Sequence, residues 1–139
     1  MEISVGHTPD SDDAFMFYAM LTGKIQSPDF TIKHVIGDIR DKNKLFSVFS
    51  DFNPEFVFHL AAQPLVRFSY REPQITSETN IMGTINIFEA IRKTTSVRVF
   101  INVTSDKCYE NKEWTHSYRE IDPIGGNDPY SSSKGCVEL

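Results

Sequence analysis

Hydrophobic and polar positions along the chain follow two alternating periods, and this pattern predicts strands and helices in turn. Short β-branched or continuous apolar runs predict strands at Glu2–Gly6, Phe30–Ile36, Glu55–Leu60 and Val97–Val103. Apolar positions three or four residues apart predict helices at Ala14–Leu21, Asp41–Phe52, Ser77–Lys93 and from about Pro129 to Leu139. Strands that alternate with helices in this way indicate an α/β fold with a parallel sheet and right-handed crossovers.

Residues with special backbone preferences mark the ends of three of these helices. Gly23 is a natural stop for the first helix, and Asn53 followed by Pro54 ends the second. Asp128 followed by Pro129 combines a capping side chain with a proline suited to the first helical turn. The sequence therefore predicts that the last helix opens at Pro129.

Side-chain patterns within three segments lead to more detailed predictions. The continuous apolar run Glu55–Leu60 is typical of a parallel strand that is buried on both faces. Glu89 and Lys93 lie four residues apart, which predicts an exposed ion pair on their helix. Residues 107–127 have no regular period and predict an irregular loop.

Composition narrows the class of protein. The 139 residues, 40% of them hydrophobic, suit one domain with a single core, and the formal charge of −5 argues against nucleic acid as the main partner. No apolar run approaches the length of a membrane-spanning helix, and the first residues do not form a secretory signal. Cys108 and Cys136 are too few for a disulfide framework or a zinc site. These features favour a cytoplasmic protein.

The four histidines do not have the spacing of metal ligands, so we predict no metal site. His59 lies inside an apolar strand and is expected to be a hydrogen-bonded core residue. Tyr109, Trp114 and Tyr118 lie in the long loop, where they either stack on a nucleotide base or pack the loop onto the sheet. Cys108 is either a reactive thiol beside Lys107 or a small buried residue, and the second interpretation is favoured.

The strongest chemical signal is Tyr130-Ser-Ser-Ser-Lys134. On a helix, residues four apart project from one face, so the phenol and the ammonium would lie together. A free tyrosine has a pKa of about 10, and a nearby cation lowers it toward the range in which a phenolate can act as a base. The alternative is an exposed pair without a catalytic role, since this spacing is common by chance.

Three further segments lie where ligands bind in α/β sheets, beyond the carboxyl ends of strands. Thr104–Lys107 follows the fourth strand with a hydroxyl, a carboxylate and an amine, and its alternative is a polar turn. His59–Gln63 follows the third strand with two alanines, which allow a flat cofactor to approach or a helix to pack tightly. Asp38 either accepts a hydrogen bond from an adenine amino group or caps the next helix.

These motifs together make the segment from about Ile36 to Leu139 resemble the extended short-chain dehydrogenase/reductase family. Within it the segment is similar to the nucleotide-sugar 4,6-dehydratases, and most of all to the CDP-glucose 4,6-dehydratase subgroup. The matching segments are GDIRD, VFHLAAQPLVRFSY, TNIMGTINIFEAIR, VTSDKCYENKEW and YREIDPIGGNDPYSSSKGCVEL. The resemblance implies a Rossmann-like three-layer fold of about four parallel strands with flanking helices, NAD as cofactor and a nucleotide sugar as substrate.

The resemblance also implies roles for individual residues. The NAD site would be lined by Asp38 and Ile39 beside the adenine, by Leu60, Ala61, Ala62 and Thr79, and by Tyr130 and Lys134. Tyr130 and Lys134 would serve the hydride step. Asp106 would be the acid for loss of the sugar 6-hydroxyl, and Ser105 would assist Tyr130. Lys107 stands where the dTDP-glucose branch carries Glu, which favours a CDP-sugar.

The front of the chain departs from that family. The family opens with a strand and a glycine-rich G-x-x-G-x-x-G loop for the pyrophosphate, whereas here Gly6 stands alone. Residues 1–35, with GHTPDSDDAFMFYAMLTGKI, instead resemble the opening of menaquinone-biosynthesis enzymes of periplasmic-binding-protein-like fold. The interpretation is a hybrid, folded as one α/β domain, with the binding-protein-like front joined near Gly37 to a dehydratase segment that lacks the family's C-terminal substrate-binding half.

Two functions from different classes follow. One is NAD-dependent dehydration of a CDP-hexose, weak or inactive in this chain because the glycine loop and the C-terminal half are missing. The other is a folded, non-catalytic module with at most weak nucleotide binding; menaquinone chemistry is a remote third. The strand Val97–Val103 would be a bare sheet edge, which predicts a homo-oligomer, most simply a dimer.

Overall fold

The computed structural model describes residues 2–7, 18–19, 22–24, 26 and 28–139. Of the polar segment over residues 7–13 only His7 is included, and of the predicted helix over 14–21 only residues 18 and 19 are included. These two are helical, and the Thr22 N–H donates to the Tyr18 carbonyl at 3.0 Å. Gly23 follows at φ +68°, a conformation that glycine adopts readily, so the predicted helix stop is confirmed.

Four strands pair in parallel. β1 (Glu2–His7) lies beside β2 (Thr31–Ile36), and β3 (Phe56–His59) lies beside β4 (Val99–Asn102). Among the described residues, backbone hydrogen bonds join the strands in these two pairs. The α/β class with parallel strands and flanking helices is therefore confirmed.

The helix α1 (Lys42–Phe52) follows β2 and has well-defined ends. The Asp41 carboxylate accepts hydrogen bonds from the N–H groups of the first turn, which are otherwise without helical partners. Asn53 ends the helix in the left-handed conformation, with φ 46° and its N–H bonded to the Phe49 carbonyl. Because Asp41 is the cap of α1, the alternative that Asp38 caps this helix is wrong.

The segment between β3 and β4 contains two short helices, a π-helical segment and a long helix. They are α2 (Val66–Arg71), α3 (Pro73–Ser77), the π segment (Glu78–Met82) and α4 (Gly83–Lys93). The junctions at residues 77–78 and 82–83 keep right-handed helical angles, so the helix is continuous from Pro73 and begins four residues before the predicted start. Pro73 explains that start, because proline suits a first helical turn.

The predicted ion pair between Glu89 and Lys93 on α4 is wrong, because Glu89 has a different partner. Glu89 pairs with Arg92, three residues away, at 2.8 Å. The Lys93 ammonium instead lies over the Phe46 ring of α1, 4.2 Å from its centroid. An aromatic face is an alternative partner for a lysine cation, and here the contact links the end of α4 to the middle of α1.

The hydrophobic core lies between α1, α4 and one face of the β3–β4 pair. Phe49, Ile87 and Ala90 are buried there, and the strand residues Val57 and Phe100 pack against them. The register sets Phe56 beside Val99 and Phe58 beside Ile101 on the opposite face. Phe56 and Phe58 are 58% and 61% exposed. The prediction that this strand is buried on both faces is therefore wrong, because the helices cover one face.

The C-terminal part of the chain begins with a short 3₁₀ turn (Asp106–Cys108) after β4 and ends with α5 (Pro129–Glu138). The loop between them is irregular, as predicted, apart from an isolated antiparallel bridge between Tyr109 and Ile124. The prediction that α5 opens at Pro129 is confirmed, with Asp128 as its cap. Within the described ranges, no helix is long and apolar enough to cross a membrane.

Candidate active site beside the last helix

Tyr130 and Lys134 occupy the buried side of α5. Their side chains project together because four residues separate them on a helix that Asp128 and Pro129 start. Tyr130 is 8% exposed and Lys134 is 7% exposed, and the Lys134 ammonium lies 5.9 Å from the centre of the Tyr130 ring. The predicted shared face is confirmed, and the alternative of an exposed pair is wrong.

The polar ends of these two side chains lack protein partners. Among the described residues, neither the Lys134 ammonium nor the Tyr130 hydroxyl makes a hydrogen bond or an ion pair. Burial lowers the pKa of Lys134, because the charged form loses its hydration. The ammonium keeps some contact with solvent, and its partial loss of hydration costs free energy that a bound polar ligand would offset.

His59 lies close to Lys134, at the end of β3. It is buried, and its Nε2 lies 2.9 Å from the Thr84 Oγ1 of α4. The single Thr84 hydroxyl proton is donated to the Asn80 carbonyl at 2.6 Å, so His59 must donate its Nε2–H to Thr84. Burial, reinforced by the Lys134 charge, lowers the pKa of His59 to about 4. The predicted role as a hydrogen-bonded core residue is confirmed.

The polar residues after β4 form a compact turn that packs against α5. The Ser105 hydroxyl donates to the Asp106 carboxylate at 3.0 Å and accepts the Lys107 N–H at 3.2 Å. The Thr104 hydroxyl donates to Glu138 of α5 at 2.6 Å. The three candidates at positions 105–107 thus lie together beside the helix that carries Tyr130 and Lys134.

Sequence comparison identifies the family to which these motifs belong. The sequence profile described as GDP-mannose 4,6 dehydratase matches residues 15–139. The chain belongs to this family. It is 55% identical over 104 residues to CDP-glucose 4,6-dehydratase of Salmonella typhimurium, a match covering 75% of this chain and 29% of that enzyme. It is 32% identical over 120 residues to CDP-paratose 2-epimerase of Salmonella typhi, covering 75% of this chain and 35% of the epimerase. The chain therefore spans about a third of each relative's length.

Structural comparison agrees with the family assignment. UDP-glucose 4-epimerase of Bifidobacterium longum, solved with NAD⁺ and UDP, matches with a TM-score of 0.77 and 26% identity. That match covers 99% of this chain and 39% of the epimerase. The Rossmann fold implied by the resemblance is thus confirmed.

The candidate cofactor residues of this dehydratase-family chain lie on two neighbouring segments, the one that follows β3 and the π segment. Leu60, Ala61 and Ala62 follow β3, with Leu60 and Ala61 exposed, and Thr79 is half-buried in the π segment. The Gln63 N–H, directly after the alanines, donates to Asn80 Oδ1 at 2.7 Å. This bond joins the alanine segment to the π segment.

The residues predicted beside the adenine precede α1, and Ile39 reaches the start of α4, where a Cβ at Gly83 would lie 2.5 Å from the Ile39 Cδ1. The Asp38 carboxylate accepts hydrogen bonds from the Arg40 guanidinium, the shortest at 2.6 Å, and these bonds hold its pKa below the usual value. Ile39 packs against the core of α1 and α4. A contact between Asp38 and an adenine stays a prediction.

A buried polar network was missed from the sequence. Thr76, Asn80 and Thr84 lie four residues apart and are all buried, as are Ser69 of α2 and Ser133 of α5. The spacing of the first three places them on one helix face. Small polar residues repeated at this interval along one face of the helix were the signal that could have predicted the network.

Packing decides the alternative for Cys108 and gives the loop aromatics partners that neither of their two interpretations named. Tyr109 and Tyr118 stack on each other, with ring centres 4.9 Å apart, and Trp114 lies against His116 and Tyr118. The loop aromatics therefore pack among themselves. Cys108 is buried, and burial raises the pKa of its thiol, which disfavours a reactive thiolate. In the part of the chain that the structure describes, no His, Cys, Asp and Glu residues cluster for a metal.

Replacing Lys134 by methionine is expected to stabilise the fold. The substitution keeps the volume and removes a buried charge that lacks a partner, so the free energy of unfolding should rise by about 1–2 kcal/mol at neutral pH. The lowered pKa means that the folded protein releases the Lys134 proton before the unfolded chain does. Wild-type stability should therefore approach that of Lys134→Met as the pH rises toward 10.5. Urea denaturation at several pH values measures this difference, and a less stable Lys134→Met at neutral pH would contradict it.

Proposed function

We propose that the site serves NAD-dependent 4,6-dehydration of a nucleotide sugar, with CDP-glucose as substrate and CDP-4-keto-6-deoxyglucose as product. The observation that carries this proposal is the buried Tyr130–Lys134 pair, whose hydroxyl and ammonium lack partners among the described residues. Family membership and the strong similarity to CDP-glucose 4,6-dehydratase of Salmonella typhimurium support the substrate. The chain covers about a third of the length of these relatives, so the activity of a whole dehydratase is a proposal for it.

Each candidate residue has a defined task in this reaction. Tyr130 removes the proton of the sugar 4-hydroxyl, and the Lys134 cation stabilises the phenolate that does so. Water leaves between C5 and C6: Asp106 protonates the departing 6-hydroxyl, and Asp106 together with Lys107 handles the proton that C5 gives up and regains when the hydride returns to C6. Ser105 assists Tyr130. NAD, when bound, would accept the hydride from C4 and return it to C6.

The residues present fit NAD in part. Leu60 and Ala61 are exposed after β3, and Ala62 and Thr79 are half-buried with small side chains, so these residues could line one side of the cofactor. Asp38 and Ile39 would adjoin the adenine. Beyond β1, however, the sequence reads Thr-Pro-Asp-Ser-Asp-Asp instead of the glycine-rich loop. Carboxylates at that position would repel a pyrophosphate. We therefore propose weak NAD binding.

The direct test is incubation of the protein with CDP-glucose and NAD. We expect slow formation of the 4-keto-6-deoxy sugar nucleotide, measured by mass spectrometry. Tyr130→Phe should lower the rate by about 100-fold or more, because it removes the proton-transferring group. Tyr18→Phe, at an exposed tyrosine, is the matched control and should leave the rate unchanged. Absence of product from the wild type with both compounds present would refute dehydration by this chain.

The second candidate is a folded module without catalysis. It is favoured by the aspartate-rich sequence after β1, where a phosphate-binding loop would need glycines. Calorimetric titration with NAD separates the two candidates. Binding in the micromolar range would contradict the inert module, and failure to bind at millimolar NAD would support it.

We also propose that the chain forms a homodimer. In the described residues, β4 is hydrogen-bonded to β3 alone, and one face of this pair is apolar and exposed through Phe56, Phe58, Val99 and Ile101. Apolar strands with a free edge favour pairing with another chain. We expect light scattering at tens of micromolar to give twice the mass of the 15.9 kDa chain. A monomer would refute the dimer, whereas a dimer that survives Val99→Lys with Ile101→Lys would refute this interface.

The hybrid origin and a cytoplasmic location belong to the same proposal. The 55% identical match is 104 residues long, which is the length of the segment 36–139. This length supports a join near Gly37 between the front of the chain and the dehydratase segment. The family profile, in contrast, begins earlier, at residue 15. The proposed reaction uses NAD and a nucleotide sugar, and the need for both compounds supports a cytoplasmic location. Sequencing the transcript across the codons for residues 30–45 tests the join, and a different sequence upstream of Gly37 would contradict it.

A further inference from the structure

Two buried serine hydroxyls hold the backbone of Tyr130 itself. The Tyr130 N–H donates to Ser69 Oγ at 3.2 Å, and the Ser133 hydroxyl donates to the Tyr130 carbonyl at 2.7 Å. Ser69 is fully buried and Ser133 is 1% exposed, so neither bond competes with bulk water. The peptide groups on both sides of one side chain are therefore fixed by side chains.

The bond from Ser69 completes the start of α5 from another part of the fold. The N–H groups of a first helical turn have no partners within the helix. The Asp128 carboxylate, which caps α5, accepts hydrogen bonds from the N–H and the hydroxyl of Ser131, at 2.9 and 2.6 Å. The Tyr130 N–H therefore has no hydrogen bond to this cap. Ser69, 61 positions earlier in α2, accepts it and donates its own proton to the Val66 carbonyl at 2.7 Å.

The bond from Ser133 is held in place by the π segment. A serine hydroxyl that bonds a carbonyl three residues back is a common local feature of helices. Here the same hydroxyl also accepts from Asn80 Nδ2 at 2.8 Å, across 53 positions of sequence. The Asn80 amide is fixed in turn, because its Oδ1 accepts the Gln63 N–H and its Nδ2 donates to the Gln63 carbonyl. Each hydrogen in this chain of bonds has one acceptor.

These bonds come from two different elements and meet on one residue. Ser69 of α2 binds the N–H of Tyr130, and the link from Asn80 of the π segment through Ser133 binds its carbonyl. We propose that Ser69 and Ser133 are positioning residues for Tyr130, which together aim its phenol and the Lys134 ammonium at the reacting sugar. The orientation of these groups toward the sugar rests on the proposed function, whereas the hydrogen bonds that fix the Tyr130 backbone are independent of it.

Two measurements without substrate or NAD test the positioning. In Ser69→Ala the Tyr130 amide should exchange its hydrogen about fivefold faster than in the wild type, relative to the Ser132 amide, which bonds the Asp128 carbonyl. In Ser133→Ala a looser first turn should admit water to Lys134, so its pKa, followed by nuclear magnetic resonance of the side chain, should rise toward the ordinary value. Both readouts stay interpretable if the dehydratase activity is absent.

Matched variants separate positioning from a general loss of stability. Ser132→Ala removes an exposed serine of the same helix, whose hydroxyl bonds the Gly126 carbonyl, and should change neither readout. Ser69→Thr, which keeps the hydroxyl, should restore slow exchange at Tyr130. If Ser69→Ala does not fold, Ser69→Cys provides the comparison, because sulfur is a weak acceptor. Where turnover is measurable, kcat should fall about tenfold in Ser69→Ala, with KM within twofold of the wild type.

Unchanged exchange at Tyr130 in Ser69→Ala together with an unchanged titration of Lys134 in Ser133→Ala would overturn the proposal. Equal effects from Ser132→Ala would overturn it as well.

Discussion

Replacing Gly126 by alanine is expected to destabilise the protein by about 3 kcal/mol or more. A Cβ at this position would lie 2.2 Å from the Ser131 Cβ, 2.6 Å from the Ser131 carbonyl carbon and 2.8 Å from the Ser132 nitrogen. These contacts involve backbone atoms of the first turn of α5, which cannot rotate away as the end of a long side chain can. The turn would have to move, and the cap from Asp128 would be disturbed with it.

The neighbouring glycine provides the control for this substitution. Nothing lies within 4 Å of a Cβ at Gly125, so Gly125→Ala should change the free energy of unfolding by less than about 1 kcal/mol. Urea denaturation of both variants measures the difference. Similar stabilities for the two would contradict the close approach at Gly126. Because α5 carries Tyr130, Gly126→Ala should also impair any turnover.

Local sequence signals predicted the helix ends well. Asp128 and Pro129 act within one turn of chain, so their effect on α5 could be predicted without the rest of the fold. The left-handed end at Asn53 is equally local. These features depend on backbone geometry and on side chains that reach no further than three residues.

Features that depend on the partner of an element could not be predicted in this way. The periodicity of β3 identifies a strand, but whether Phe58 is buried depends on which elements cover its face. Two cations, Arg92 and Lys93, lie close enough along the helix to pair with Glu89. Arg92 forms the ion pair, because the Lys93 ammonium packs over the Phe46 ring of α1. Tertiary packing decides both outcomes.

The same division applies to the candidate site. The spacing of Tyr130 and Lys134 predicts a shared helix face, and residues 105–107 follow directly from the end of a strand. The link from Asn80 to Ser133 spans 53 positions of sequence, and the cap from Ser69 spans 61. Contacts at that separation arise from the fold, which is why the residues expected to touch substrate could be predicted while the residues that support them could not.

The protein should lose about 3 kcal/mol of stability through His59 as the pH falls from above 6.5 to about 4. In the folded state the His59 pKa is about 4, below its ordinary value of 6.5. Between these values the unfolded chain binds a proton that the folded protein does not, so acid favours unfolding. Above pH 6.5 the residue is neutral in both states and contributes no pH dependence.

His59→Gln isolates this contribution, because glutamine can donate to Thr84 Oγ1 and does not titrate. The wild type should lose stability more steeply than His59→Gln between pH 6.5 and 4, in urea denaturation at several pH values. The other groups that face His59, which are Lys134, Thr84 and Asn80, are present in both proteins, so the comparison removes their contribution. Parallel curves for the wild type and His59→Gln would mean that His59 binds its proton equally in the folded and unfolded states, which is incompatible with a buried neutral ring beside the Lys134 ammonium.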